Sequence, residues 1–510
     1  MHSSSPSHLK IVRCTCLQNL MKHSAAVLAT LALLAGCQPA VRMSSREASR
    51  HFPSAISCSP YPELKSRIDA LLPDSLFPPA SVSIKIVSLP KNETLYELNP
   101  SLLFNPASNE KLFTCAAALV LLGKDYPLAT RIYLDTTSMP RIFVKGFGDP
   151  LLSSTDIDSI SSSLSVLLPT NKRWAVVGDV TYFDDLYWGS GWMWDDEPDP
   201  TAMFISPLSL NSNAITVKVK PGTQSGEPVV VATEPTTSFV SIENMGETIA
   251  DSVTERITVS RKWLERSNII TVTGQMDAWD STVTHTISVW APEHYALTLL
   301  GERLQSRGFE VAGVALDTVP RTASEAFRFS HRLDSVLTYQ MKESDNLAAE
   351  NVLKIVGAER RGTPGTAMKG ISVIKEFLSE EGIDTTKLVL ADGSGVSRYN
   401  LTSADIIVQL LQAMYRDPEH FETFYNSLPN AGVDGSLSSR MKGTSAEGNL
   451  HAKTGTLSGV SALSGYVRTA DGELLAFSML MQNFATASRP YRQVQDAIGV
   501  FLSGLRRESL

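Results

Sequence analysis

The sequence predicts an α+β protein in which one domain is interrupted by a β-rich insertion. Three observations carry that expectation. Alternating or continuous apolar runs in "SVSIKIVSL", "VSALSGYVRT" and "ELLAFSMLMQ" mark strands near both ends of the chain. Helical patterns accompany them, one starting near Asn105 and several more after about residue 330. From about 130 to 290 the character changes to short strands punctuated by Gly, Pro and Asp clusters.

At 510 residues the chain is too long for one compact core. An apolar content of 43%, a charged content of 19% and 27 prolines suit a globular protein rather than a disordered one. The net charge of −8 gives no electrostatic reason to expect a nucleic-acid partner. No apolar run reaches the roughly 18–20 residues that a spanning helix needs.

The first 37 residues read as an export signal. Lys22 and His23 precede the apolar stretch "AAVLATLALLAGC", which suits a signal core. Its end, Leu34-Ala35-Gly36-Cys37, resembles a bacterial lipobox, so Cys37 is the expected lipidation site; a plain signal with an incidental cysteine is the alternative. Gln38 rather than Asp after that cysteine points to the outer membrane, by the rule for such proteins. Met21 would give a leader of ordinary length. A Ser-rich tether follows, at 38–57. Cys58 and Cys115 offer neither metal spacing nor a disulfide framework, and Cys115 sits in an apolar helix as an expected buried thiol.

Residues 58–130 and 325–510 are expected to form the interrupted domain, and 131–324 the insertion. "ETLYELN" pairs with "SVSIKIVSL" across a turn at "PKN". "RIFVKG", "RWAVVGDVTYF", "AITVKVKP", "PVVVATEP" and "NIITVTGQM" supply strands of the insertion, and "PEHYALTLLGERLQSRG" a helix. Then "RLDSVLTYQMKESDNLAAENVLKIVG", "GTAMKGISVIKEFLSEEG" and "SADIIVQLLQAMYRD" read as helices. The two apolar strands around "ADG" at 470–472 form a hairpin central to a sheet, and a last helix runs from about Tyr491 to Leu505.

The chemistry starts at "NPASNEKLF", residues 105–113. Asn105 and Pro106 suit a helix start, which places Ser108 in the first turn and Lys111 on the same face. Ser-x-x-Lys alone is weak, since Ser7/Lys10, Ser88/Lys91, Ser372/Lys375 and Ser439/Lys442 share it. Downstream, however, stand Ser344-Asp345-Asn346 in a helical region and Lys453-Thr454-Gly455 at the start of an apolar strand. These three elements in this order are those of active-site serine penicillin-binding enzymes. Ser-x-Asn alone also fits Ser209 and Asn211, and Ser344 and Asn346 also suit a helix cap.

With "NPASNEKL", "GFGDPLL", "GDVTYFDD", "GWMWDDEP", "ISPLSLNSN", "ESDNLAAE", "DGSGVSRYN" and "HAKTGTLSGVSALSGYV" in place, the chain resembles a known family. It is that of the D-alanyl-D-alanine carboxypeptidase/endopeptidases, the penicillin-binding protein 4 or low-molecular-mass class C group. The resemblance spans essentially everything after the signal region, including the long gap between Lys111 and Ser344. It implies an α/β/α sandwich whose antiparallel sheet is flanked by helices. The implied activity is hydrolysis of the terminal D-Ala of peptidoglycan stem peptides, with cross-link endopeptidase action as a second outcome. It also implies inhibition by β-lactams, no metal or organic cofactor, and membrane contact through the lipid alone, in the periplasm.

Each residue then has an expected task. Ser108 is the nucleophile and Lys111 its base, which requires a depressed amine pKa from burial and from Lys453. Ser344 relays a proton to the leaving amine, and Asn346 fixes Lys111 and the substrate amide. Lys453 and Thr454 receive the terminal carboxylate, and Gly455 lets the substrate lie along the strand edge. In family terms the oxyanion hole is the backbone N–H of Ser108 and Thr456. The family also suggests that Arg398 and Asp196 hold the diaminopimelate side chain, with Asp195 beside Asp196 blurring the alignment. "DGSG" at 392–395 reads as a packing turn. His285, His294, His331 and His451 match no other catalytic template, and His451 reads as local packing. A β-lactamase on the same scaffold and a catalytically silent peptidoglycan-binding lipoprotein are the rival readings.

Overall fold

Strands from the two ends of the chain meet in one five-stranded antiparallel sheet. Its order is His451–Leu457, Val460–Arg468, Leu474–Gln482, Ser81–Ser88 and Glu93–Leu98. The computed structural model describes residues 61–509, apart from residues 78, 138 and 251–252. The expected leader, its Cys37, the tether and Cys58 lie outside the described residues.

The hairpin strands Val460–Arg468 and Leu474–Gln482 are apolar on both faces because both faces are covered. Ala462, Tyr466, Ala476 and Leu480 pack against the helices Lys111–Leu122, Asn346–Arg361 and Ala404–Arg416. Leu463, Phe477, Met479 and Met481 pack against Pro62–Asp69 and Arg489–Ser503. Alternation along the strands thus separates two cores, and the result is a three-layer α/β/α sandwich. Each fully buried Leu, Met or Phe contributes roughly 1.5–3 kcal/mol, so this sheet anchors the domain.

The chain leaves the domain after Leu122 and returns at Leu333. The outgoing strand Pro127–Asp135 and the returning strand Ser324–Arg332 pair antiparallel, from Pro127↔Arg332 to Leu134↔Ser324. The expected limits of 131–324 therefore cut through both of these strands. They belong to a second five-stranded sheet with its own core, joined by three smaller sheets.

Four local expectations need correction. The α-helix of "NPASNEKLF" begins at Lys111, because Ala107–Glu110 form a tighter 3₁₀ turn. The long helix after 330 is two helices, Leu333–Lys342 and Asn346–Arg361, broken at "ESD", where Ser344 adopts a φ of +59°. "NIITVTGQM" is two strands divided at Gly274, where a Cβ would stand 2.4 Å from the Arg256 carbonyl. The insertion also holds a helix, Ser154–Leu167, hidden by its six serines. Its signals were the Ser153/Asp156 capping box and the spaced Ile157, Ile160 and Leu164.

Candidate active site

The nucleophile turn is built by its neighbours. Asn105 does not cap the helix. Its Oδ1 accepts from the Ala107 N–H at 2.9 Å, and its amide donates to the carbonyls of Ser397 and Asn400. Ala107, fully buried, is held at a φ of +46°, a conformation that persists only when the surroundings fix it. They do so through two glycines. A Cβ on Gly395 would sit 1.9 Å from the Ala107 carbonyl oxygen, and one on Gly455 would sit 2.7 Å from that of Pro106. Asn109 adds a third tie by donating to the Lys453 carbonyl at 3.0 Å. Ser108 emerges half-buried, within reach of a ligand.

Lys111 is the first residue of the helix and is fully buried. Its Nζ lies 3.1 Å from Ser108 Oγ, 2.6 Å from Asn346 Oδ1 and 2.7 Å from the Ser394 carbonyl oxygen. Burial pushes its amine down to about 8, against the pull of Asp392, Asp345, Glu350 and Glu110. Burial, rather than Lys453, is therefore the depressing cause. The repulsion between the two lysines falls on Lys453, itself fully buried and held well below the usual lysine range, by burial first and by Lys111 second.

Lys453 Nζ donates to Ser344 Oγ at 2.9 Å and to the Thr454 carbonyl at 3.0 Å. Asp345, and not Ser344 or Asn346, caps the helix Asn346–Arg361, accepting from the Ala348 N–H at 2.7 Å. That cap leaves Ser344 free to face Lys453 and Asn346 free to face Lys111. The Asn346 amide also donates to the Thr201 carbonyl of the insertion, at 2.6 Å. Ser108, Lys111 and Asn346 thus form one hydrogen-bonded group and Ser344 and Lys453 a second, and the two are close enough for Lys111 to depress the Lys453 amine.

The other expected residues are placed less directly. The Thr454 hydroxyl is half-exposed and shares a hydrogen bond with Ser436 at 2.7 Å. Thr456 lies on the same strand with its side chain exposed; the strand is an edge of the sheet. A Cβ on Gly455 would meet Pro106 and Ala107, so its missing side chain makes room for the nucleophile turn. Arg398 is exposed and donates to the Ser458 carbonyl at 3.0 Å, just past that edge strand. The Asp196 carboxylate accepts from the Met193 N–H of its own turn. Neither touches either group. His451 stacks on Tyr425 and is pushed down to about 4 by burial, and His331 pairs with Asp149. Cys115 is a buried free thiol.

Residues given no place in the site from the sequence complete it. Asp392 accepts from Trp192 Nε1, from the N–H of Gly395 and Ser397, and from Asn400. It therefore shapes the loop whose Ser394 carbonyl meets Lys111, so "DGSG" is more than a turn. Glu350 accepts from the N–H of both Gly393 and Ser394 at 2.9 Å. Its signal was the polar stripe Asn346, Glu350, Lys354 at four-residue spacing on a helix that is buried as far as Ala358. Gly148 of "GFGDPLL", Asp184 of "GDVTYFDD" and Thr201, all of the insertion, bond to that helix. Among the described residues no group of three or more His, Cys, Asp or Glu side chains is disposed to hold a metal ion.

Residues 64–505 match the family described as D-Ala-D-Ala carboxypeptidase 3 (S13). The chain is 36% identical over 462 residues to the D-alanyl-D-alanine carboxypeptidase of Actinomadura sp. (strain R39), covering 86% of this chain and 84% of the relative. It is 26% identical over 409 residues to the D-alanyl-D-alanine carboxypeptidase DacB of Haemophilus influenzae, covering 78% and 84%. The crystal structure of penicillin binding protein 4 from H. influenzae matches with a TM-score of 0.74 at 22% identity, over 86% of this chain and 99% of that one. That structural match supports the fold.

Proposed function

Because the chain belongs to the D-Ala-D-Ala carboxypeptidase 3 (S13) family, we propose that it removes the terminal D-alanine of peptidoglycan stem peptides through an acyl-enzyme on Ser108. One observation carries the serine mechanism. A neutral lysine amine has two N–H bonds and one lone pair. Asn346 Oδ1 and the Ser394 carbonyl, at 2.6 and 2.7 Å from Lys111 Nζ, take the two N–H bonds. The lone pair is then left for the Ser108 hydroxyl at 3.1 Å, with an amine depressed to about 8 by burial.

The steps follow from that arrangement. Ser108 Oγ gives its proton to Lys111 and bonds to the carbonyl carbon of the penultimate D-Ala, whose oxygen gains the negative charge. The backbone N–H groups of Ser108 and Thr456 receive that charge; one such donor is worth about 10²–10³ in rate. The C–N bond breaks as a proton passes through Ser344 to the leaving D-alanine. Lys453 and Thr454 hold the terminal carboxylate by charge and hydrogen bond. Water then hydrolyses the ester and regenerates Ser108.

β-Lactams present a similar carboxylate and a strained acyl group, so they acylate the same serine. The H. influenzae relative has been crystallised with a β-lactam. Cleavage of D-Ala–diaminopimelate cross-links is the second activity of the proposal, with Arg398 and Asp196 on the diaminopimelate side chain. The apolar stretch ending at Cys37 supports export to the periplasm and a lipid anchor, facing the outer membrane on the Gln38 rule. Among the described residues no helix is long and apolar enough to cross a membrane.

Intact mass after incubation with penicillin tests the proposal. A lasting adduct on Ser108, absent from Ser108→Ala, is the expected result. Rapid adduct loss with drug hydrolysis would favour a β-lactamase, and no adduct would leave a silent binding protein.

A further inference from the structure

Lys111 meets two acceptors, and both are referred to one helix. Asn346 provides the first directly. The second, the Ser394 carbonyl, belongs to a loop that Glu350 holds, one helical turn after Asn346 on the same face. We propose that Glu350 is the positioning residue of the general base: its Oε1, by accepting from Gly393 and Ser394, aims the Ser394 carbonyl at Lys111.

Three observations separate this from ordinary loop packing. The loop has a packing hub in Asp392, which holds the Ser394 hydroxyl, Gly395, Ser397 and Asn400 and so anchors the loop from Gly395 onward. Glu350 instead holds the Gly393 and Ser394 N–H groups, the two that precede the carbonyl bearing on Lys111. The arrangement also leaves Glu350 Oε2 buried with no hydrogen-bond partner, a costly position that loop packing alone does not require. Finally, Gly393 lies so close to the helix that a Cβ would meet the Ala349 carbonyl at 2.8 Å, so loop and helix move as one body. Both N–H bonds of a neutral Lys111 are thereby set by a single rigid element, and with them the direction of its lone pair.

The groups facing Glu350 are Asp392 and Lys111, and Glu110, buried beside Gly395, is a third carboxyl in the same compartment, faced by Lys375 as well. Burial, with Asp392 adding to it, raises the Glu350 carboxyl to about 7. The role assigned to it needs an acceptor at a fixed reach and not a permanent charge.

This inference rests on the proposed Ser108 acyl-enzyme. Its test is the rate of penicillin acylation against pH for wild type and for Glu350→Gln, Glu350→Asp and Glu350→Ala, with thermal unfolding as the folding control. Gln keeps the acceptor and the reach, so its plateau rate should stay within about threefold of wild type. Asp keeps the charge but shortens the reach, and Ala removes both, so their plateaus should fall by about tenfold or more. Gln and Ala, by removing a negative group, should also move the alkaline rise in rate to lower pH. A merely structural defect lowers the amount of active protein without moving that rise. If Ala does not fold, the contrast between Gln and Asp decides. Wild-type plateaus in Asp and Ala, or a Gln plateau as low as that of Asp, would overturn the inference. Absence of any Ser108 adduct in the wild type would instead overturn the parent proposal, and this one with it.

Discussion

Ser344 Oγ and Lys453 Nζ stand 2.9 Å apart, a second serine–lysine pair facing the 3.1 Å pair of Ser108 and Lys111. Both lysines are fully buried, so the site holds two amines that are easily made neutral. Their surroundings divide the work. Lys111 is held by Asn346 and the Ser394 carbonyl, whereas Lys453 lies on the strand that forms the edge of the sheet.

The first prediction concerns pH. The base form of Lys111 is neutral, so acylation by penicillin should rise as pH passes through about 8. Lys111→Arg cannot supply a neutral amine and should lower the rate by about 10²–10⁴. Stopped-flow acylation across pH 6–10 measures both. A profile flat through this range would remove Lys111 as the base. Stability should follow the same group in a defined direction. The folded pKa of Lys111 is about 8 against an ordinary 10.5, so the folded chain binds this proton less tightly than the unfolded one. The penalty is complete below about 8 and is relieved as pH rises towards 10.5.

Lys453 is the second case. Its amine is depressed by burial and then by Lys111, so its charged form is disfavoured in the fold at neutral pH. Lys453→Met, which removes that disfavoured charge, should therefore raise the unfolding temperature at pH 7 despite the loss of the Ser344 hydrogen bond. The same variant should bind D-Ala-D-Ala peptides far more weakly. A lower unfolding temperature would show that the ammonium stabilises the fold.

The sequence carried the five clustered residues because each lies in a short motif whose spacing is local. It did not carry Glu350 or Ser394, since their link spans 44 positions and a buried carboxyl resembles any other helical Glu. The break between Leu333–Lys342 and Asn346–Arg361 was concealed for a different reason. No Gly or Pro marks it, and the chain turns at Ser344 in a left-handed conformation with Asp345 as the next cap. The packing part played by Gly455 was hidden because strand glycines suit both substrate approach and backbone packing, and only the position of Pro106 reveals it.

Arg398 gives a test of substrate choice. It is exposed beside Ser458, past the end of the edge strand, and the proposed function assigns it to the stem-peptide side chain. A charge-assisted hydrogen bond to a carboxylate is worth about 1.5–3 kcal/mol. Arg398→Ala should raise KM for diaminopimelate-containing peptides by about 10–100-fold, while peptides with lysine at that position change little. Equal effects on both peptides would place Arg398 outside side-chain recognition.

The last prediction separates the geometry of the nucleophile turn from stability in general. Gly395 has a φ of +86°, and a Cβ there would stand 1.9 Å from the Ala107 carbonyl oxygen and 2.9 Å from Glu110 Cβ. Gly395→Ala should therefore destabilise the protein by about 1–3 kcal/mol from overpacking, with a further cost for the left-handed backbone. It should also slow acylation, because the atoms it displaces carry Ser108. Gly455→Ala meets the Pro106 carbonyl at 2.7 Å and the Cβ atoms of Ala107 and Ala462 at 3.1 Å, without the positive φ, and should show both effects to a smaller degree. Gly472, with a φ of +89° and nothing within 4 Å of its Cβ position, supplies the control. Gly472→Ala should lower the unfolding temperature through backbone strain alone and leave the acylation rate of the folded protein unchanged. If all three variants slowed acylation in proportion to their loss of stability, the clasp of Gly395 and Gly455 on Ala107 would have no separate role in placing Ser108.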